Sequence, residues 1–170
     1  MIQRPDPAEH DPYYERYIQL VPSDDLLAQL RKQLTDTLEL LQSTSEMKAS
    51  YRYAPGKWSL REVVGHMADT ERIMSYRLLR VSRGDATPIA GFDEDAYAKA
   101  ANYEAYPMHS ILDEFSIVRK STLFLLERIT PEAWGYWGTS NNSKITARAL
   151  GYIIAGHELH HRSVIQARYL

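Results

Sequence analysis

No cysteine occurs in the 170 residues. Disulfides, thiolate metal ligands and a cysteine nucleophile are therefore excluded, and any metal must be held by nitrogen or oxygen. No stretch approaches the run of about 20 apolar residues needed to cross a bilayer, and the opening "MIQRPDPAEHDPYY" lacks the apolar core of a secretion signal. A cytoplasmic protein with no membrane partner is expected. There is no basic run either: 20 Lys+Arg against 22 Asp+Glu give a net charge of -2, so nothing recommends nucleic acid as a partner. Repeats and low-complexity tracts are missing, and the length suits one domain able to bury a core without staples.

Helical periodicity appears four times. Residues 1–22 carry Pro5, Pro7, Pro12 and Pro22 between Tyr13, Tyr14 and Tyr17, and read as an extended N-terminal arm. The domain proper follows, over 23–170. Ser23 is placed to cap a helix with apolar residues at Leu27, Leu30, Leu34, Leu38 and Leu41. Ser59-Leu60-Arg61-Glu62 has the form of a capping box and opens a second helix that runs to about Ser82, before Arg83-Gly84-Asp85. A third starts at Pro107 or Ser110 and continues through Phe115, Leu125 and Ile129; the fourth runs from near Ile145 through Ile154 to Ile165. The expected fold is all-α, an antiparallel four-helix bundle with a long connection between helices two and three. A short helix near 93–101 is expected within that connection.

The last helix carries "GHELHH", residues 156–161. At about 100° per residue, His157 and His161 fall within roughly 60° of each other and of Leu150, Ile153, Ile154 and Val164, in the middle of the apolar stripe. Glu158 points about a quarter-turn away and His160 lies on the flank. An imidazole there must find a partner for each nitrogen, which a core carbonyl or a metal can supply. Two ligands make a weak site, so a third donor is required. Of His10, His66 and His109, His66 is best placed, since it aligns with Glu62, Thr70 and Ile73 beside the stripe of Val63, Met67 and Met74.

His157-Glu158-Leu159-His160-His161 also matches H-E-x-x-H, the zinc-protease pattern. Such proteases need a further ligand downstream, and Arg162 to Leu170 contain no acid or histidine. Val164 and Ala167 stand where the longer form of the motif requires glycine and histidine. The match is a by-product of an H-x-x-x-H pair.

Trp58-Ser59-Leu60-Arg61-Glu62-Val63-Val64-Gly65-His66-Met67-Ala68-Asp69 resembles the W-S-x-x-E-x-x-x-H-x-x-D opening of helix two in DinB-like, YfiT-like proteins. His157-Glu158-Leu159-His160-His161-Arg162 resembles the H-x-x-H-H-R segment at the end of that superfamily. The resemblance spans roughly residues 20–170. It implies a divalent metal on His66, His157 and His161, and a set of three imidazoles suits zinc or nickel. Glu62, Asp69 and His160 are the candidates to support those ligands, since a ligating imidazole usually hands its other ring proton to a nearby acceptor. Glu62 is already explained by the capping box, and Asp69 by pairing with Arg72.

Three functions follow from this resemblance. The metal can activate a low-molecular-weight thiol for transfer to an electrophilic small molecule, or activate water for hydrolysis. Alternatively it is structural, in a binding module or homodimer subunit. Aromatic residues in the arm and connections suit an interface, a substrate pocket or ordinary packing equally. Coordination separates the classes: a catalytic site keeps three protein ligands and an open position, a structural site four protein ligands.

Overall fold

The computed structural model describes residues 2–170, so Met1 of the arm lies outside it. Four long helices carry the fold: α2 (Leu26–Leu41), α4 (Leu60–Ser82), α6 (Met108–Leu126) and α7 (Ala147–Arg168). Shorter ones are α1 (Glu15–Ile18), α3 (Glu46–Ala49) and α5 (Glu94–Ala101). The capping box forms in full: Ser59 Oγ accepts from Glu62 N at 3.2 Å, and Glu62 Oε2 from Ser59 N at 2.7 Å. α5 fills the expected stretch, capped by Asp93 and ended by Asn102 in the left-handed region at φ 52°. α2 begins two residues later than a Ser23 cap would set it. Asp25 is the cap, accepting from Ala28 N at 3.0 Å, while Ser23 Oγ accepts from Asp25 N at 3.1 Å in a local turn.

α2 packs on α6 and α7, and so does α4, so the two pairs of helices lie across the diagonals of the bundle. The core is divided. One apolar cluster includes Leu26, Leu30, Met74, Leu78, Leu123 and Ile154; the other includes Leu41, Leu60, Met67, Phe115 and Ile165. Between them each helix contributes buried polar residues: Gln33 and Thr37, Thr70 and Glu71, Arg119 and Thr122, His157 and Glu158.

The all-α expectation needs correcting, because the chain is mostly helical but includes a small antiparallel hairpin. Strands β1 (Trp137–Ser140) and β2 (Ser143–Thr146) pair with Trp137 opposite Thr146 and Ser140 opposite Ser143. The loop is Asn141-Asn142, both at positive φ (49° and 63°), the conformation that closes a two-residue hairpin in register with strand twist. Each strand is four residues long, too short for alternation to stand out. The connection between α4 and α5 joins this hairpin: Ile89 N donates to Thr139 O, and Asn141 N to Ile89 O, both at 2.9 Å. Over the arm the chain makes two short 3-10 turns, Pro7–Glu9 and Pro12–Tyr14, capped by Asp6 and Asp11, and then α1. The arm crosses α7 at Gly156, where a Cβ would lie 2.0 Å from Tyr17 O. Only glycine permits so close a backbone approach.

Candidate metal centre

His66 lies in the second turn of α4, while His157 and His161 lie one turn apart on α7. Packing of α4 against α7 aims the three rings at one point. His157 Nε2 is 3.1 Å from His66 Nε2 and 3.1 Å from His161 Nε2. One ligand atom from each residue lies within 4.8 Å of the others. Tetrahedral coordination at ~2.0–2.1 Å would separate imidazole nitrogens by about 3.3 Å, so the geometry can hold one divalent cation. Thr70 Oγ1 lies beside the His66 ring, 3.4 Å from Nδ1 and 3.5 Å from Nε2.

Burial keeps these rings neutral. Desolvation pushes His66 down to about 4, with Asp69 opposing the shift. Desolvation, and after it the neighbouring histidines, hold His157 and His161 well below the ordinary histidine value. At neutral pH all three therefore offer lone pairs. Three convergent lone pairs repel one another and cannot all be satisfied by the one shared ring proton between any two of them. A cation relieves that arrangement, and a set of three imidazoles suits zinc or nickel.

Trp58 stacks obliquely on His66 with centroids 4.6 Å apart, and Tyr17 meets His157 and His160 edge-on, at 5.5 Å each. A cavity of about 350 Å³ opens beside His66 and His157. Its walls come from the arm (Tyr13, Tyr14, Tyr17), the α4–α5 connection (Phe92) and the hairpin (Ser140, Asn141).

The family model described as DinB superfamily matches residues 29–165. The chain belongs to the DinB superfamily. Among solved structures it is similar to YfiT from Bacillus subtilis, described as a probable metal-dependent hydrolase with an unusual four-helix bundle topology. That likeness has a TM-score of 0.64 at 18% identity, over 97% of this chain and 93% of YfiT. It is also similar to the mycothiol-dependent maleylpyruvate isomerase, with a TM-score of 0.68 at 12% identity, over 85% of this chain but only 61% of the isomerase. At these identities the likeness is one of fold. No curated protein matches the sequence significantly.

Within this DinB-superfamily bundle the supporting residues expected from sequence take different places. Glu62 is held by the capping box and by Arg52. Asp69 accepts from Tyr103 Oη at 2.6 Å and from Arg72 at 3.2 Å. Neither makes a hydrogen bond to the three histidines among the described residues. His160 is half-buried, its ring 5.1 Å from that of His161. His109 is exposed, and His10 is buried in the arm with Nδ1 3.0 Å from Asp11 O. Glu158 leaves the site altogether, turning to Thr37 Oγ1 and Arg119 Nη1, at 2.6 Å each. No helix among the described residues is long and apolar enough to cross a membrane. Sequence reasoning did not single out Arg77, which also lines the cavity. Its signal was the spacing from His66: eleven residues is about three turns, which returns to the same helical face.

Proposed function

We propose that the chain is a divalent-metal enzyme that presents a low-molecular-weight thiol to an electrophilic small molecule, with zinc or nickel held by His66, His157 and His161. One observation carries this reading. Three neutral imidazoles converge, two of them, His66 and His157, on the wall of a 350 Å³ cavity, and among the described residues no fourth histidine or carboxylate joins them. A structural site would be closed by four protein ligands. When bound, the metal supplies a lowered pKa for a thiol at neutral pH. The chain contributes the three neutral donors, the packing of Trp58 on His66 and of Tyr17 on His157, and the cavity beside them. Having no cysteine, it cannot supply the sulfur itself, so the nucleophile must arrive as a bound cofactor.

Hydrolysis is the second reading, favoured by His160. This half-buried imidazole beside His161 could accept a proton from water. Transfer is preferred because Glu62, Asp69 and Glu158 are all engaged elsewhere, and among the described residues no carboxylate joins the three histidines. Initial rates of the metal-loaded protein measured against pH, with two thiols of different pKa and with none, separate the readings. Transfer requires added thiol and a rate inflection that moves with the thiol's pKa. Undiminished turnover without thiol, with one fixed inflection, decides for hydrolysis.

A further inference from the structure

Two arginines are buried in this bundle, and they are treated differently. Arg119 is met by Glu71 and Glu158. Arg77, only 2% exposed, has no carboxylate partner among the described residues. Its Nη2 donates to Ala90 O at 2.9 Å, its Nη1 reaches the Met74 thioether at 3.6 Å, the uncharged Tyr14 hydroxyl and the Phe92 ring lie beside it, and its Nε has no partner. Burying a guanidinium without a counter-ion is costly, and such groups are normally paired. The Oγ of Ser140, also buried, likewise lacks a partner. Both residues line the cavity that reaches His66 and His157.

We propose that Arg77 and Ser140 form an anion-recognition end of this cavity, and that its occupant is a small molecule carrying a carboxylate remote from the imidazoles. The inference rests on reading the cavity as the substrate site. His66, Thr70, Met74 and Arg77 all line it from one face of α4, and at 1.5 Å per residue His66 and Arg77 are about 16 Å apart along the axis. Helical side chains lean toward the N-terminus, so the guanidinium approaches the imidazoles without reaching them. A molecule held at both ends must therefore be elongated, with its charge at one end and its reacting atom at the other. Carboxylate fits better than phosphate. Asp11 and Glu94 line the same cavity, Asp11 already accepting from Tyr13 N and Ser143 Oγ, and a dianion would be repelled by them more strongly than a monoanion. Arginine with a free Nε–H is suited to the planar carboxylate. The carboxylate can belong to the thiol or to the electrophile, and the test has an arm for each.

Binding of two acid–amide pairs to the full chain would be measured calorimetrically, with metal and after chelation. N-acetylcysteine with N-acetylcysteinamide forms the thiol arm; 4-phenylbutyrate with 4-phenylbutyramide forms the thiol-free arm. In at least one arm the acid should bind about tenfold more tightly than its amide, as expected for a charge-assisted hydrogen bond. Preference in the thiol arm alone assigns the carboxylate to the thiol; preference in the other arm assigns it to the electrophile. Arg77→Gln should bring the acid/amide ratio to within about twofold, and Ser140→Ala should weaken acid binding roughly threefold while leaving the amide unchanged. Equal binding of acid and amide in both arms overturns the proposal, as does a preference that survives Arg77→Gln or vanishes on chelation. Should circular dichroism show Arg77→Gln unfolded, the Ser140→Ala result decides, and no change in its acid/amide ratio overturns the proposal. A preference that persists in a protein shown to bind no metal supports the anion site while removing the metal reading, so the two failures are distinguishable.

Discussion

His157 and Glu158 are neighbours in sequence and point about a quarter-turn apart on α7, and each belongs to a different half of the polar layer that divides the core. On Glu158's side each charged group meets an opposite charge within the chain, one guanidinium serving two carboxylates. Arg119 donates bidentately to Glu71 at 2.8 and 2.7 Å and to Leu30 O at 3.1 Å, and it closes on Glu158, which accepts from Thr37. This cluster ties all four long helices together. Burial disfavours the Arg119 charge, yet the two carboxylates outweigh it and hold its pKa above the ordinary arginine value. On His157's side the chain supplies donors alone and stops. A buried polar cluster completed by protein fixes helix register, whereas one left incomplete leaves room for something from outside. The cluster around Arg119 has one more carboxylate than guanidinium, and a void of about 10 Å³ lined by Glu71, Glu158 and His157 connects it to the triad. That void is just large enough for one water, so the negative excess sits where it favours a cation on the histidines.

Removing a member from each half sharpens the contrast. The largest effect is expected from Arg119→Ala, which strands two buried carboxylates and should cost about 3–5 kcal/mol in urea unfolding. A loss under about 1 kcal/mol would show that the cluster is not held as described. His157→Ala should do the reverse, leaving the metal-free fold nearly as stable while metal affinity falls by about 100-fold or more by calorimetric titration. Full occupancy by elemental analysis in that variant would contradict the triad.

The two halves should also differ in acid. In the metal-free protein the three histidines are neutral when folded and protonate when unfolded, so the unfolded state binds more protons below about 6.5. Their contribution to stability is therefore present above that pH and is lost as pH falls toward about 4, where His66 itself titrates. Between pH 7.5 and 5.0 (about neutral and about 1.5 units below the histidine value), the thermal stability of the wild type should fall relative to that of a triple alanine variant. Parallel curves would dismiss the effect. Gly156→Ala, which drives a methyl group into Tyr17 O, should cost about 1–3 kcal/mol and expose the arm to limited proteolysis. Smallest is His160→Ala, whose ring packs against Tyr17 and His161: metal content should stay within about twofold of wild type.

Much of this was legible because it rests on local rules. The Ser59 and Glu62 box, the short helix after Asp93 and the pairing of Asp69 with Arg72 each lie within one helical turn, where sequence spacing is spatial spacing. His157 and His161 stood out because polar residues in an apolar stripe demand a partner. What was hidden depends on distant chain. The four-residue strands gain definition from Ile89, the arm's path is set by a glycine on α7, and Arg77 becomes notable only once it is seen to be buried with no carboxylate paired to it among the described residues. Glu158 was placed off the stripe by its angle, but nothing local announces Arg119 as its partner from another helix.

The same layer has a consequence for the order of assembly. His66 meets His157 across 91 residues of chain, Thr37 meets Glu158 across 121, and Glu9 of the arm holds Arg148 across 139. Contacts of such separation carry the greatest loop-closure entropy and gain nothing until the intervening helices have docked. The cation-binding point therefore exists only after α7 has seated against α4, and the cavity wall only after the arm has closed over α7. Metal uptake by a refolding chain should accordingly lag the recovery of helix signal, making the ion a reporter of the last folding step rather than a template for the first.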